Sequence, residues 1–175
     1  MNNNIIMQKV NIVIGRFQPF TTGHLKCCTN VYKQRGLKTV LCVIDTTKTD
    51  VKHPFTTQLM WSALKSLARQ YDEIQDVVLV KSADIIKMAE AVASKGYSIA
   101  TWSCGTDRFD AYTKMCKKYA PEVEVIEIHR EDSDVSGTQV RQLIKQGKEK
   151  EFEELTPKPM HKLFNAFKDA LDALD

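Results

Sequence analysis

One stretch of ten residues, Gly15-Arg16-Phe17-Gln18-Pro19-Phe20-Thr21-Thr22-Gly23-His24, combines two glycines with an arginine, hydroxyls and a histidine. It follows Val10–Ile14, an apolar run that reads as a strand covered on both faces. Gly15 is expected to let the chain turn sharply and admit a ligand to the backbone, and Gly23 to allow the same approach where the next helix begins. Free N–H groups at a helix start attract anions, so a phosphate is the expected guest, with His24 donating a hydrogen bond to it from the first turn. A histidine that merely caps a surface helix would show the same residues.

A second segment, Asp134-Val135-Ser136-Gly137-Thr138-Gln139-Val140-Arg141, has the same character. Ser136 suits a helix N-cap, and the hydroxyls of Ser136 and Thr138 with the free amides around Gly137 make an anion cradle. Arg141 lies about one turn past Thr138 and can point to the same end, where its fork suits phosphate. Alone, this is also an ordinary capped helix with a surface arginine. Two such helix starts, after the first and fifth strands of one sheet, predict a polyphosphate site.

The elements that would position these segments are legible from the hydrophobic pattern. Apolar, β-branched runs predict strands at Lys9–Ile14, Thr39–Ile44, Asp76–Val80, Ile99–Ser103 and Glu122–Ile128. Between them, helix-period spacing predicts His24–Gln34, Phe55–Arg69, Asp84–Ser94 and Arg108–Tyr119. Strands alternating with helices of this length imply βαβ crossovers, hence an α/β three-layer sandwich around a parallel sheet of about five strands. Ligands of such sheets sit beyond the carboxyl ends of the strands, where the first segment falls. A helix from near Gly137 to Gly147 follows. The mixed-charge stretch from Lys148 to Glu154 reads as a solvated turn or helix face. After Pro157 and Pro159 a final helix carries Leu163, Phe164, Phe167, Ala170, Leu171 and Leu174 on one stripe, as a lid over the sheet or a subunit contact in a homo-oligomer. One domain over 1–175 is expected, with a core of about 8–147 and a C-terminal helical extension of about 148–175.

Composition narrows the function classes. The chain is 43% hydrophobic and 27% charged, which argues for a packed globule rather than a disordered segment. A formal charge of +3, with Lys and Arg scattered among Asp and Glu, gives no basic stripe for nucleic acid and suits a small anionic substrate. No apolar run is long enough to span a membrane, and the opening MNNNIIMQKV has no signal-peptide pattern, so a cytoplasmic location is expected. Five cysteines without a CxxC pair read as reduced, packed residues, and no metal-ligating set is predicted.

GRFQPFTTGH resembles the (H/T)xGH signature of the HIGH-type, cytidylyltransferase-like nucleotidyltransferase superfamily, and VSGTQVR resembles its second signature, ISSTxxR. His53-Pro54-Phe55-Thr56 is similar to the NPFT segment of archaeal-type nicotinamide mononucleotide adenylyltransferases, and Cys104-Gly105-Thr106-Asp107 to the G-x-D after their fourth strand. The four blocks occur in order across roughly Val10 to Leu174. Thr21 stands at the first position of HxGH, as in pantetheine-phosphate adenylyltransferases. The arginine that follows NPFT has no counterpart in Gln58-Leu59-Met60-Trp61, and no KMSKS-like loop is present.

The resemblance implies a Rossmann-like fold and attack by a phosphorylated acceptor on the α-phosphorus of a nucleoside triphosphate, releasing pyrophosphate. ATP with nicotinamide mononucleotide, giving NAD, is the leading pair. A cytidylyltransferase, another small-phosphate adenylyltransferase and a non-catalytic nucleotide-binding protein are the alternatives. His24 and Thr21 would contact α- and β-phosphate oxygens, while Ser136, Thr138 and Arg141 would hold the β- and γ-phosphates and Arg16 either partner's phosphate. Gly15, Phe17, Gly23, Gly105 and Gly137 would border the nucleotide, and Asp107 would take a ribose hydroxyl or cap a helix. His53, Trp102 and Arg130 are candidates for the acceptor side, Trp102 being equally readable as core. Mg2+ would be held mainly by the triphosphate and water.

Overall fold

The computed structural model describes residues 6–129 and 136–175. Strands β1 (Gln8–Gly15), β2 (Thr39–Ile44), β3 (Ile74–Val80), β4 (Tyr97–Gly105) and β5 (Glu124–Ile128) alternate with helices α1 (Thr22–Arg35), α2 (Thr57–Gln70), α3 (Ile85–Ala93) and α4 (Thr106–Tyr119). Among the described residues, four further helices follow: α5 (Gly137–Lys145), α6 (Glu149–Glu154), α7 (Lys158–His161) and α8 (Phe164–Asp172). Every strand pairing is parallel, in the order β3-β2-β1-β4-β5, a Rossmann-like α/β arrangement.

Alternation along the strands divides the core between two layers. Leu41 and Val43 join Val13, Val77 and the buried side of α2 in one apolar cluster. Val40 and Cys42 turn the other way, toward Ile85, Met88 and Val92 of α3 and Cys116 of α4. Passing from β3 to β4 carries the chain across to the far side of β1, which is why α3 and α4 cover the face opposite α2. Burial holds the Cys28, Cys42, Cys104 and Cys116 thiols protonated, with Cys42 and Cys104 pushed up to about 12 and Cys116 to about 11.

Beneath α1 the sheet contains a polar knot. Asn11, fully buried, donates from Nδ2 to Thr39 Oγ1 at 3.0 Å and Ser103 Oγ at 2.9 Å, and accepts from Thr101 Oγ1 at 2.7 Å. Ser103 Oγ in turn donates to the Cys27 carbonyl of α1 at 3.2 Å. A buried amide is costly unless it is satisfied, and here it ties β1, β2, β4 and α1 together. Gly36, at φ 67°, closes α1 in the left-handed conformation that glycine tolerates best.

Several boundaries differ from the predicted ones for local reasons. The α2 helix starts at Thr57 because Thr56 is still extended and its side chain caps the helix by accepting from the Leu59 N–H. β5 starts at Glu124 because Val123 is still in a turn, bonded to the Ala120 carbonyl. The mixed-charge stretch is more than a solvated face. It forms α6 and sends Phe152 into the core, against Phe164 and Phe167. The predicted single terminal helix is two pieces, α7 and α8, with a break at Lys162 and Leu163. Phe167 of α8 stacks on Phe55 at 4.3 Å, so this C-terminal layer presses on the loop carrying His53. Phe152→Ala is expected to cost about 3–5 kcal/mol of stability in denaturant unfolding. A loss below ~1 kcal/mol would mean that the α6 layer contributes little to the core. Among the described residues, no helix is long and apolar enough to cross a membrane.

Candidate active site

β1 and β4 are neighbours, but the chain leaves β1 for β2 on one side and β4 for β5 on the other. A crevice opens beyond the carboxyl ends of two such strands, the usual ligand position in an open α/β sheet. Gly15 ends β1 and Gly105 ends β4, which places the blocks that contain them at its two banks.

Thr21 is the N-cap of α1, and its side chain accepts from the His24 N–H while its own N–H donates to His24 Nδ1 at 3.0 Å. The hydroxyl, expected on a phosphate, is thus committed first to holding the helix and its histidine. An Nδ1 that accepts an amide proton leaves the proton of a neutral imidazole on Nε2, so the ring is fixed in its Nε2–H form. Phe17 meets the ring edge-on at 5.0 Å, and Phe20 packs on it at 5.3 Å.

Phe17 does more than border the site. It is only 2% exposed, so most of its ring is spent on supporting His24, and only an edge of it reaches the second cavity described below. It also carries the left-handed residue of this turn, at φ 53°, where the sequence pointed to Gly15 for the sharp change of direction. Such a conformation costs a non-glycine residue about 1–2 kcal/mol, offset here by burying the aromatic ring. A Cβ on Gly15 would stand 3.2 Å from that ring, so the glycine makes room for Phe17.

At α5 a second capping box operates. Ser136 Oγ accepts from Gln139 N–H at 3.2 Å, and Ser136 N–H donates to Gln139 Oε1 at 2.9 Å. The Ser136 hydroxyl is therefore engaged, which leaves the Gly137 and Thr138 amides as first-turn donors ahead of the first helical bond, Val140 N–H to Ser136 C=O. Arg141 reaches back over this turn, donating from Nη1 to the Gln18 carbonyl at 2.7 Å and from Nη2 to Thr138 Oγ1 at 3.2 Å. Gly137 permits that approach, since a Cβ there would lie 3.1 Å from Arg141 Nη1. Partial burial draws the guanidinium below its ordinary pKa, but an arginine stays charged throughout the physiological range.

His24 and Gly137 border two cavities. The first, about 220 Å³, is lined by Thr21, Gly23, Lys26, Cys27, Gly105, Asp107, Ile128 and His129 as well. The second, about 400 Å³, adds Arg16, Phe17, Gln18, Lys52, His53, Thr138 and Arg141. Arg16 is held there by bonds from Nη1 to the Asp45 carbonyl at 3.2 Å and Thr46 Oγ1 at 3.1 Å. His53 is pinned by Asp50, whose Oδ1 accepts its N–H at 2.7 Å and lies 3.3 Å from its Nδ1. These bonds hold the Asp50 carboxyl below its usual range.

The two motif segments therefore converge, and Gly105, Asp107 and His53 reach the same crevice. Trp102 does not. It is fully buried, its face stacked at 3.9 Å on Tyr112 in the opposite layer, so no acceptor ring can reach it. Arg130 lies outside the described residues. Gln18, Gln139, Lys26 and Lys52 were missed as site residues. Only Gln139 had a local signal, the Ser-x-x-Gln capping spacing. Among the described residues, no group of three His, Cys, Asp or Glu side chains stands ready to hold a metal.

No protein-family model matches the chain, and no curated protein does. Its fold is similar to that of solved nucleotidyltransferases. The Plasmodium falciparum nicotinic acid mononucleotide adenylyltransferase complexed with APC is 12% identical at a TM-score of 0.60, over 94% of this chain and 98% of that one. A bifunctional NMN adenylyltransferase/ADP-ribose pyrophosphatase from Francisella tularensis, complexed with AMP and a manganese ion, is 18% identical at a TM-score of 0.65, over 96% of this chain and 52% of that one. The present chain thus spans about half of that bifunctional protein. Thermotoga maritima TmcAL bound with alpha-thio ATP is 12% identical at a TM-score of 0.61, over 91% and 56% of the two chains.

Proposed function

We propose that the protein is a nucleotidyltransferase, joining ATP to a pyridine mononucleotide, with nicotinamide mononucleotide giving NAD. The observation that carries this reading is that His24 and Arg141, 117 positions apart in sequence, line one cavity at the carboxyl edge of the sheet. The fold shared with adenylyltransferases supports the same chemistry.

In this reading the nucleoside occupies the first cavity, with Asp107 at the ribose, and the acceptor occupies the second, against Arg16, Lys52 and His53. The triphosphate crosses between them over His24 and the first turn of α5. An acceptor phosphate oxygen attacks the α-phosphorus. The bond from that phosphorus to the bridging oxygen breaks, and the electron pair leaves with pyrophosphate. The acceptor oxygen is already anionic at neutral pH, so the residues position and neutralise charge rather than accept a proton. His24 Nε2–H faces the charge that spreads over the α-phosphate oxygens, and Arg141 with the α5 amides holds the leaving group. A divalent ion would arrive with the triphosphate as part of the substrate, bound through phosphate oxygens and water.

The test is a screen of the four nucleoside triphosphates against phosphorylated acceptors, reading pyrophosphate release. ATP with nicotinamide mononucleotide is expected to give the highest kcat/KM. Preference for CTP would reassign the protein as a cytidylyltransferase, and nucleotide binding without turnover for any pair would make it a non-catalytic binder.

A further inference from the structure

Gln18 sits in neither a helix nor a strand, yet it is only 7% exposed and all its polar side-chain atoms are bonded. Oε1 accepts the Phe55 N–H at 2.8 Å, and Nε2 donates to the Phe55 carbonyl at 2.8 Å and to the Arg16 carbonyl at 3.3 Å. The side-chain amide thus pairs with both peptide groups of Phe55, much as an adjoining strand would. Its main-chain carbonyl accepts the 2.7 Å bond from Arg141. One residue therefore joins three segments, with partners 37 and 123 positions away. Phe55 is held on its other side by Phe167.

We propose that Gln18 is a positioning residue that couples the acceptor side of the site to the triphosphate side. Its amide fixes the loop carrying Lys52 and His53, and its carbonyl fixes the fork of Arg141. The inference rests on the nucleotidyl-transfer reading, because that reading gives the two sides their ligands. The physical basis is preorganisation. A free arginine side chain samples many rotamers, whereas one already held by Gln18 and Thr138 meets an anion without that loss. Slackening the Phe55 contact lets the 16–20 turn shift, and the shift releases Arg141, which the Gln18 side chain never touches.

The experiment measures binding of a non-hydrolysable ATP analogue by calorimetry in wild type, Gln18→Met, Arg141→Ala and the double variant. Gln18→Met keeps the volume and removes both bonds to Phe55. Its dissociation constant is expected to rise about tenfold, within the usual range for coupled sites. In the Arg141→Ala background the same substitution should change nothing further, because Gln18 acts on the triphosphate through Arg141. Losses that multiply independently, or a folded Gln18→Met with unchanged affinity, would overturn the proposal. Should Gln18→Met fail to fold, Gln18→Glu is read the same way, since it keeps the shape and opposes the Phe55 carbonyl with an oxygen. A wild-type protein that binds the analogue without turning over any acceptor sinks the catalytic reading alone and leaves the coupling measurable. One that binds no triphosphate sinks both.

Discussion

His24→Ala is expected to leave a folded protein whose kcat falls by about 10²–10³-fold, the loss seen when one preorganised donor to a developing charge is removed. The expectation comes from how tightly the ring is held. The Thr21 amide fixes its tautomer, and Phe17 and Phe20 fix its plane, so little reorganisation remains when charge builds on the α-phosphate. Because the gain arises mainly in the transition state, KM for ATP should move by only a few-fold. The substitution also removes half of the α1 capping box, at a cost of about 0.5–2 kcal/mol, so the assay belongs beside a thermal melt. A well-folded variant within a few-fold of wild-type turnover would remove His24 from the chemistry.

Arg141→Ala should act differently, chiefly on binding. A charge-assisted hydrogen bond from a half-buried guanidinium contributes about 1.5–3 kcal/mol, which corresponds to a triphosphate bound about 10- to 150-fold more weakly. The loss should be confined to ligands with β- and γ-phosphates, so the affinity for AMP should stay near wild type. Arg141→Lys should rescue little. Two of the guanidinium nitrogens are committed to Gln18 and Thr138, and a single ammonium cannot hold that fork and also reach phosphate. Equal losses for ATP and AMP would place Arg141 elsewhere on the nucleotide.

What was legible in the sequence was what is local. The helix starts at Thr21–His24 and Ser136–Arg141 announce themselves within four to six residues, and strand–helix alternation marks a parallel sheet. The convergence of the two starts follows once the sheet is assumed, because both segments leave carboxyl ends of its strands. What stayed hidden depends on contacts across the fold. Trp102 lies three positions before Gly105 on the same strand, but α4 brings Tyr112 onto its face, and nothing near residue 102 reveals that. Phe17 sits inside the motif, yet how deeply its ring is buried depends on Phe20 and His24 packing around it. Gln18 was invisible for the same reason. Phe152 was disguised by five charged neighbours in α6, a helix that needs only one apolar residue to dock. Arg130 falls outside the described residues.

In the proposed reading, the surface that α5 offers a phosphate consists partly of peptide groups, the amides of Gly137 and Thr138, with the Gln18 carbonyl anchoring the arginine beside them. Peptide groups are not encoded by any particular codon, and they survive replacements other than proline that keep the chain's course. A lineage can therefore exchange most of its side chains, provided a few spatial requirements hold, and still inherit a working cradle for phosphate.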